Sequence, residues 1–516
     1  MNNELNIRSI EEKWQNKWEA SNLHSVDKNN IINKKYCLTM FSYPSGDKLH
    51  VGHWYNYGPV DTFARFLKMK GFNVFQPQGF DSFGLPAENY AIKNGIHPKV
   101  STNNNISKMK SQLKRIGGMF DWDSEIQTSN KDYYKWTQWL FIQLYNNNLA
   151  YQKEAMVNWD PVDQTVLANE QVLSDGTSER SGGTVIQRPL KQWFFKITDY
   201  AEELLNFSDI TWPNKTILMQ KNWIGKSNGA EIIFEVSDSK IKIPIYTTRP
   251  DTIFGCTYMV ISPEHSITQK IITNDCDSDI AKYCNEASKK NELQRTDLEK
   301  DKSGVFTGLY AKNPANGSEI PVWIADYVLM GYGTGAIMAV PGHDERDYKF
   351  AKKYDLKINK VVDDGNDISI DTVPFCEKGI SVKSDFLNGL NTSKSKKIII
   401  KWLEENNIGK GCTKYKLKDW LISRQRYWGA PIPIVYDPNG KSHVIPEEYL
   451  PWLLPDDVEY KPKGTSPLGS SKELVKRTEK IFGKGWRPEI DTMDTFVCSS
   501  WYYLRYPDSK NEHNPF

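Results

Sequence analysis

Residues 41–53 read FSYPSGDKLHVGH, and the segments on either side of this stretch decide the fold. Before it, residues 35–41 predict a buried strand, and after it residues 54–70 predict a helix with apolar side chains at helical spacing. Residues 72–77 then begin a second strand. A strand–loop–helix–strand unit favours a parallel sheet, so we predict an α/β fold that binds its ligands at the carboxyl ends of the strands.

Two histidines stand at the start of the predicted helix. His50 and His53 are three residues apart, which points both imidazoles the same way. A helix start carries free N–H groups and partial positive charge that suit a phosphate, and Gly52 lacks a Cβ, so that a flat base could approach the backbone. By itself the pattern His-x-Gly-His also fits two loop histidines with no catalytic role.

The composition is that of an ordinary globular protein. The chain has 516 residues, enough for about three domains, with 39% apolar and 25% charged residues. Its formal charge of +2 creates no global positive field, so any RNA contact must come from local patches. None of the seven cysteines forms a Cys-x-x-Cys pair, which favours reduced thiols and a cytoplasmic location. No apolar run approaches the ~18 residues of a membrane span, so we expect no membrane association.

The histidine stretch resembles the signature of class I aminoacyl-tRNA synthetases. Residues 43–46 before it and residues 79–88 after it resemble the branch that comprises the leucyl, isoleucyl and valyl enzymes. The resemblance implies a Rossmann-like, parallel-sheet catalytic domain that binds ATP. It also implies that His50 and His53 contact the ATP phosphates and that Gly52 lies under the adenine.

The same resemblance implies an amino-acid pocket. Met40, Phe41 and Tyr43 would line it, and Ser499 would lie near the side-chain end of the bound leucine. Asp81 directly follows the predicted second strand, at the same rim as His50, where a carboxylate could hold the ammonium group of the substrate. The alternative role for Asp81 is that of a helix cap.

Two later motifs resemble the editing site of leucyl-tRNA synthetases. Residues 247–252 read TTRPDT, and residues 331–347 read GYGTGAIMAVPGHDERD. The resemblance implies that Asp347 holds the ammonium group of a tRNA ester and that Thr252 obstructs the leucine side chain. Thr247 and Thr248 would position the terminal adenosine or the attacking water. The other residues of the implied pocket are Arg249, Tyr332, Val340 and Asp344. The alternative is a pair of structural turns rich in Thr and Gly.

The resemblance also suggests the domain organisation. We expect the first half of the catalytic domain at residues 1–224, an inserted β-rich editing domain at 225–416, and an incomplete second half of the catalytic domain at 417–516. Residues near 151–193 resemble a small zinc-binding module of the family. Because this segment contains neither Cys nor His, zinc is not expected.

The implied function is that of a leucine–tRNA ligase, which activates leucine with ATP, transfers it to tRNA(Leu) and hydrolyses mischarged tRNA. The Mg²⁺ that accompanies ATP would be held mainly by phosphates and water. No Lys-Met-Ser-Lys-Ser motif occurs, so we expect an N-terminal fragment of a longer, monomeric enzyme. Three alternatives stay open: a fragment that acts only as an editing hydrolase, an isoleucyl or valyl parent enzyme, and a non-catalytic RNA-binding relative.

Overall fold

Contacts within the chain divide it into two compact units. Unit 1 comprises Met1–Val166, Arg188–Lys196 and Trp420–Phe516, and unit 2 comprises Leu167–Gln187 and Ile197–Asp419. The computed structural model describes residues 6–46, 48–162, 165–167, 172–173, 175–179, 181–274, 278–288, 290, 295, 303–330, 334–364, 373–461 and 465–516. The division groups residues 197–224 with unit 2, whereas the predicted first half of the catalytic domain runs to 224; the predicted boundaries stay a prediction.

Unit 1 mixes helices with short strands. Its described helices are Ile7–Ala20, Val51–Met69, Leu85–Asn94, Pro98–Arg115, Lys131–Asn146, Lys472–Phe482, Thr495–Ser499 and Tyr502–Arg505. Its described strands are Lys34–Tyr36, Asn73–Phe75, Ala150–Asp160, Ile186–Phe195, Trp420–Leu421, Ser423–Arg424, Ile434–Tyr436, Ser442–Val444, Arg487–Pro488 and Thr492–Met493. The strands Thr165–Leu167 and Ile186–Phe195 each have residues assigned to both units.

The predicted strand–helix–strand unit is present in unit 1. Lys34–Tyr36 pairs in parallel with Asn73–Phe75, and the helix Val51–Met69 connects the two strands. Ala64 and Leu67 of this helix pack with Val74 of the second strand in a shared apolar cluster. Burial of these apolar side chains between the helix and the second strand therefore stabilises the parallel pairing.

The prediction of a buried strand over residues 35–41 is wrong. The strand covers only Lys34–Tyr36, and all three residues are exposed. Parallel pairing resumes at Ser42, which bridges Phe80. Ser42 follows Tyr36 by six positions, whereas Phe80 follows Phe75 by five, so the register shifts between the two pairings. Pro77 lies in that interval and has no N–H to donate to a ladder, which explains the interruption.

Unit 2 is built around a seven-stranded sheet. The order of six strands is Ala336–Ala339, Tyr258–Ile261, Glu319–Ala325, Gly304–Lys312, Ser227–Val236 and Gly409–Lys414, and Lys242–Thr247 pairs with Ser227–Val236. The two short strands Val362–Asp363 and Ile380–Ser381 form a separate pair. The described helices are Asn214–Ile224, Ser266–Asn274, Asp279–Ser288, Glu345–Lys353 and Thr392–Glu405.

Alternation of apolar side chains accounts for this sheet. Ile243 and Ile245 on one strand, and Ile232 and Phe234 on its neighbour, are fully buried in the largest apolar cluster of unit 2. Each such side chain contributes roughly 1.5–3 kcal/mol of transfer free energy when buried. The sheet therefore forms a rigid support for the turns at its rim, where the two later motifs lie. Among the described residues, no helix is long and apolar enough to cross a membrane.

Candidate active sites

The first candidate site is the start of the helix Val51–Met69 in unit 1. His50 is the N-cap residue, and its Nδ1 accepts the N–H of Gly52 at 3.1 Å. The Nδ1 of His53 accepts the N–H of His50 at 3.2 Å, which closes a reciprocal cap. The two ring centroids lie 4.1 Å apart. Because each Nδ1 accepts a hydrogen bond, each neutral ring carries its hydrogen on Nε2, where it remains a donor.

Gly52 has a structural reason to be glycine. A Cβ at this position would lie 2.8 Å from Cε1 and 2.9 Å from Nδ1 of His50. A larger residue would therefore displace the His50 ring that caps the helix. Partial burial lowers the pKa of His53, and the neighbouring His50 adds to this effect, so the neutral form of the His53 ring is favoured.

Asp81 lies at the end of the parallel pairing, because its N–H donates to the carbonyl of Ser42 at 2.9 Å. Its Oδ1 accepts the hydroxyl of Thr128 at 3.0 Å. Burial raises the pKa of Asp81 to about 7, while hydrogen bonds from Thr128, Ser499 and Thr495 act in the opposite direction. The structure thus brings Asp81 and Ser499 together, as expected for one pocket. Asp81 is not the N-cap of any described helix, so the cap alternative is not supported.

The other predicted pocket residues precede the histidines. Phe41 is buried and stacks on Tyr502 with ring centroids 4.2 Å apart. The hydroxyl of Tyr43 donates to the carbonyl of Phe83 at 2.7 Å, and burial together with the charge of Asp81 raises its pKa. Met40 is exposed. Tyr502 was missed by the sequence analysis, since an aromatic residue 461 positions later carries no local signal.

The second candidate site lies in unit 2. Its segment 247–252 starts at the last residue of the strand Lys242–Thr247 and runs into the 3₁₀ helix Pro250–Gly255. Arg249 donates three hydrogen bonds to Asp251: Nε to Oδ1 at 3.1 Å and to Oδ2 at 3.2 Å, and Nη2 to Oδ2 at 3.0 Å. Thr252 is buried, and its hydroxyl donates to the carbonyl of Arg249 at 2.8 Å. Thr247 Oγ1 accepts the N–H of Arg249 at 3.0 Å, whereas Thr248 is exposed.

Asp347 lies in the first turn of the helix Glu345–Lys353, and Asp344 is the N-cap of this helix. One oxygen of the buried Asp347 carboxylate, Oδ2, accepts the N–H of Val340 at 2.8 Å. Burial raises the pKa of Asp347 to about 8, and the charge of Asp344 adds to this rise. The ionised form of a carboxylate that is so well shielded from water is stabilised most by a cationic partner.

The two later motifs meet at Gly255. A Cβ on Gly255 would lie 2.7 Å from Val361 and 3.2 Å from Val340. The end of the Thr252 segment and the turn that carries Asp347 are therefore packed together. Tyr332 lies outside the described residues, so its predicted place in this pocket stays a prediction.

His343 was not among the residues predicted for this pocket. Its ring is buried, Nδ1 lies 2.7 Å from the carbonyl of Phe375, and Nε2 accepts the N–H groups of Val361 and Val362. The motif contains this histidine, but no spacing in the sequence links it to residues 361 and 375. Among the described residues, no cluster of three or more His, Cys, Asp or Glu side chains suits a metal ion. The segment 151–193 has no Cys or His side chain that suits zinc. The absence of zinc from this segment stays a prediction.

The family described as tRNA synthetases class I (I, L, M and V) has a model that matches residues 13–230 and 382–513, more than half of the chain. The chain belongs to this family. A second model, described as leucyl-tRNA synthetase, editing domain, matches residues 221–404 of this synthetase chain. The α/β class I fold with an inserted editing domain, predicted from the motifs, is confirmed.

Individual relatives point to the leucyl branch. The synthetase chain is 56% identical over 509 residues to a leucine–tRNA ligase of Clostridium tetani, and 52% identical to one of Clostridium perfringens strain SM101. Each alignment covers 98% of this chain and 62% of the relative. The chain thus spans under two thirds of the length of these relatives. The resemblance to leucyl enzymes is confirmed at the level of the family.

A solved structure gives the same result for the fold. The AgnB2 LeuRS of Agrobacterium radiobacter K84, in a ternary complex with tRNA and LeuAMS, superposes on this synthetase chain with a TM-score of 0.80. The two sequences are 38% identical, and the match covers 99% of this chain and 61% of the other.

Proposed function

We propose that the protein to which this chain belongs is a leucine–tRNA ligase, which activates leucine with ATP, transfers it to tRNA(Leu) and edits mischarged tRNA in unit 2. The observation that carries the proposal is that a leucyl-type editing segment lies within a class I synthetase chain. We place this enzyme in the cytoplasm, in keeping with the free cysteines among the described residues.

The start of the helix Val51–Met69 provides the phosphate site. The Nε2–H groups of His50 and His53 donate to phosphate oxygens, and the positive end of the helix dipole adds partial positive charge. Gly52 lets the His50 ring lie over the first turn, and the adenine lies against the backbone at Gly52. Mg²⁺ accompanies ATP and is held by the phosphates and by water.

Asp81 holds the leucine ammonium group. Its carboxylate is buried and oriented by Thr128, so the ionised form gains a full ion pair when the amino acid binds. Phe41, Tyr43 and Met40 border the aliphatic side chain, and Ser499 lies beside Asp81. The ammonium contact fixes the direction in which the leucine carboxylate faces.

In the activation step, a leucine carboxylate oxygen attacks the α-phosphorus of ATP. The bond from this phosphorus to the bridging oxygen of pyrophosphate breaks, which leaves leucyl-adenylate. A ribose hydroxyl at the end of the tRNA then attacks the leucyl carbonyl, and AMP leaves. Both steps depend on placement of the reactants and on stabilisation of charge on the phosphates.

A second site is needed because binding alone separates aliphatic side chains poorly. One methylene changes the binding free energy by only ~1–3 kcal/mol. Asp347 holds the ammonium group of the esterified amino acid, and Thr252 excludes leucine from the pocket. Arg249, Val340 and Asp344 shape the pocket around them, and Tyr332 belongs to the same proposed set.

In the editing step, a water oxygen attacks the ester carbonyl, and the bond from that carbon to the ribose oxygen breaks. The products are the free amino acid and uncharged tRNA. Thr247 and Thr248, at the end of the strand Lys242–Thr247, position the terminal adenosine or the attacking water.

The test is ATP–pyrophosphate exchange by the full-length enzyme with leucine, isoleucine and valine in turn. The proposal predicts exchange with leucine at the highest kcat/KM. Preference for isoleucine or valine would assign the parent to another branch, and no exchange with any of them would favour a hydrolase or an RNA-binding protein. The monomeric state is part of the proposal, and sedimentation of the full-length enzyme tests it.

A further inference from the structure

His343 links three segments of unit 2 through its buried ring. Its Nε2 accepts the N–H of Val361 at 2.8 Å and that of Val362 at 3.1 Å. Its Nδ1 lies 2.7 Å from the carbonyl oxygen of Phe375. Since Nε2 accepts, the hydrogen of the neutral ring is on Nδ1 and donates to Phe375. Burial lowers the pKa of His343 to about 4, so this neutral form persists at neutral pH.

One of these segments carries the proposed ammonium carboxylate. The N–H of His343 donates to the carbonyl of Val340 at 2.9 Å, and the N–H of Val340 in turn donates to Asp347. The residue after His343, Asp344, accepts the N–H of Asp347 at 3.2 Å. His343 therefore belongs to the same hydrogen-bonded turn as Asp347, although it does not touch the carboxylate.

The segment that contains Val361 packs against the 3₁₀ helix of Thr252. Val361, whose N–H is held by His343, packs where a Cβ on Gly255 would stand, 2.7 Å away. Gly255 ends the 3₁₀ helix that contains Thr252. A continuous series of contacts thus runs from Asp347 through Val340, His343 and Val361 to the Thr252 segment.

We propose that His343 is a positioning residue of the editing site, which fixes the separation between Asp347 and Thr252 by holding Val361 and Val362 against the turn of Asp347. This inference rests on the proposed editing function. The separation decides which side chain fits the pocket once Asp347 has bound the ammonium group. His343 therefore controls the selectivity of hydrolysis, and not only its rate.

Two substitutions separate the contacts of the ring. In His343→Gln, the side-chain oxygen reaches the position of Nε2 and can accept from Val361 and Val362. In His343→Asn, the amide nitrogen takes the position of Nδ1, and the two backbone N–H groups lose their acceptor. The contact to Phe375 has a substitute, because the N–H of Phe375 already donates to the carbonyl of Gly342 at 2.9 Å. We therefore expect Gln, and not Asn, to preserve the positioning.

A matched control is available at His265. This histidine is also buried in unit 2, 8% exposed against 7% for His343, and its Nδ1 accepts the N–H of Ile267 at 3.3 Å. Asn at position 265 keeps an acceptor for that N–H. His265→Asn is thus the same substitution in the same unit, away from the turn of Asp347.

The experiment measures hydrolysis of isoleucyl-tRNA(Leu) and leucyl-tRNA(Leu) by the full-length enzyme, and compares the ratio of the two rate constants. We expect His343→Asn to lower this ratio roughly tenfold or more, and His343→Gln and His265→Asn to stay within about threefold of the wild type. The ratio does not depend on the fraction of folded enzyme. An unchanged ratio in His343→Asn, even with slower hydrolysis of both esters, would overturn the inference.

Amide hydrogen exchange provides a second readout that does not require activity. We expect slow exchange in a peptide covering residues 356–364 of the wild type, and faster exchange in His343→Asn. Fast exchange in the wild type would contradict the hydrogen bonds on which the inference rests. This result is informative even if the Asn variant folds poorly, because it is measured on the wild type alone. Absence of isoleucyl-tRNA hydrolysis by the wild type would refute the editing function itself, and is seen before any variant is compared.

Discussion

The Asp81 carboxylate accepts the hydroxyl of Thr128 at 3.0 Å, and this bond orients a group that burial would otherwise disfavour in its charged form. Asp347 in unit 2 repeats the relationship with a backbone donor, the N–H of Val340 at 2.8 Å. Both carboxylates have a raised pKa, because burial removes each from water; at Asp347 the charge of Arg346 opposes this rise without cancelling it. The two proposed ammonium sites therefore share one physical design on unrelated elements.

This design has a stability consequence that depends on pH. A carboxylate whose pKa is raised on folding makes the folded state bind more protons than the unfolded chain, so stability falls as pH rises from the unfolded pKa through the folded value. For Asp81 and Asp347 that interval runs from about 4 to about 7 and about 8. We expect Asp81→Asn and Asp347→Asn to raise Tm at pH 8 by on the order of 2–5 °C, with little gain at pH 4.5.

Thermal unfolding of the full-length variants from pH 4.5 to 8.5 checks this prediction. Asp437→Asn is the control, since Asp437 is only half-buried and its pKa is lowered by the N–H of Lys441. It should give no gain at pH 8. A Tm difference that is the same at both ends of the range would show that the two buried carboxylates do not titrate as proposed.

Thr252 is expected to exclude leucine through its bulk. Thr252→Ala removes a methyl and a hydroxyl, so leucyl-tRNA(Leu) should be hydrolysed at least about tenfold faster, as expected for a pocket enlarged by about one methylene. Thr252→Val keeps the bulk but loses the hydrogen bond to the carbonyl of Arg249. Deacylation of leucyl-tRNA by each variant is the measurement. Equal hydrolysis by the Ala and Val variants would assign the effect to the hydroxyl and contradict the steric explanation.

Gly52 should tolerate no side chain, since a Cβ there would meet the His50 ring at 2.8 Å. We expect Gly52→Ala to lower kcat/KM for ATP in leucine-dependent exchange by roughly 10- to 100-fold, because it moves a phosphate donor. Gly46→Ala, where nothing lies within 4 Å, is the matched control. Normal activity of Gly52→Ala would show that the His50 ring position does not matter for ATP.

The segment 151–193 should not bind zinc, because it has no thiolate or imidazole ligand. Elemental analysis of the purified, dialysed protein is expected to find well below one zinc ion per chain. About one zinc ion per chain would require ligands elsewhere in the molecule.

Local patterns in the sequence indicated the candidate sites, whose roles stay proposals, better than they predicted the elements that hold them. Local motifs located His50, Asp81, Thr252 and Asp347, because each lies beside a strand end or helix start with a recognisable pattern. The prediction of a strand over 35–41 was wrong, because Pro77 interrupts the pairing on the partner segment. The sequence of residues 35–41 does not reveal this interruption.

His343 shows the other limit of sequence reasoning. Its partners lie at residues 361, 362 and 375, and long-range contacts of a buried polar ring leave no periodic signal. Likewise, the packing of Val361 and Val340 around Gly255 follows from how the turns meet at the sheet rim. Such supporting contacts become visible only when the fold is known.

The most direct test of two separate sites is a crossed comparison of Asp81→Asn and Asp347→Asn in the full-length enzyme. Each variant is assayed for leucine-dependent ATP–pyrophosphate exchange and for hydrolysis of isoleucyl-tRNA(Leu). Loss of a buried charge that pairs with the substrate ammonium should lower the affected kcat/KM by roughly 10²-fold or more. We predict that Asp81→Asn loses exchange and keeps hydrolysis, and that Asp347→Asn loses hydrolysis and keeps exchange. A variant that loses both activities while remaining folded, or an Asp347→Asn enzyme that still edits at the wild-type rate, would contradict the account.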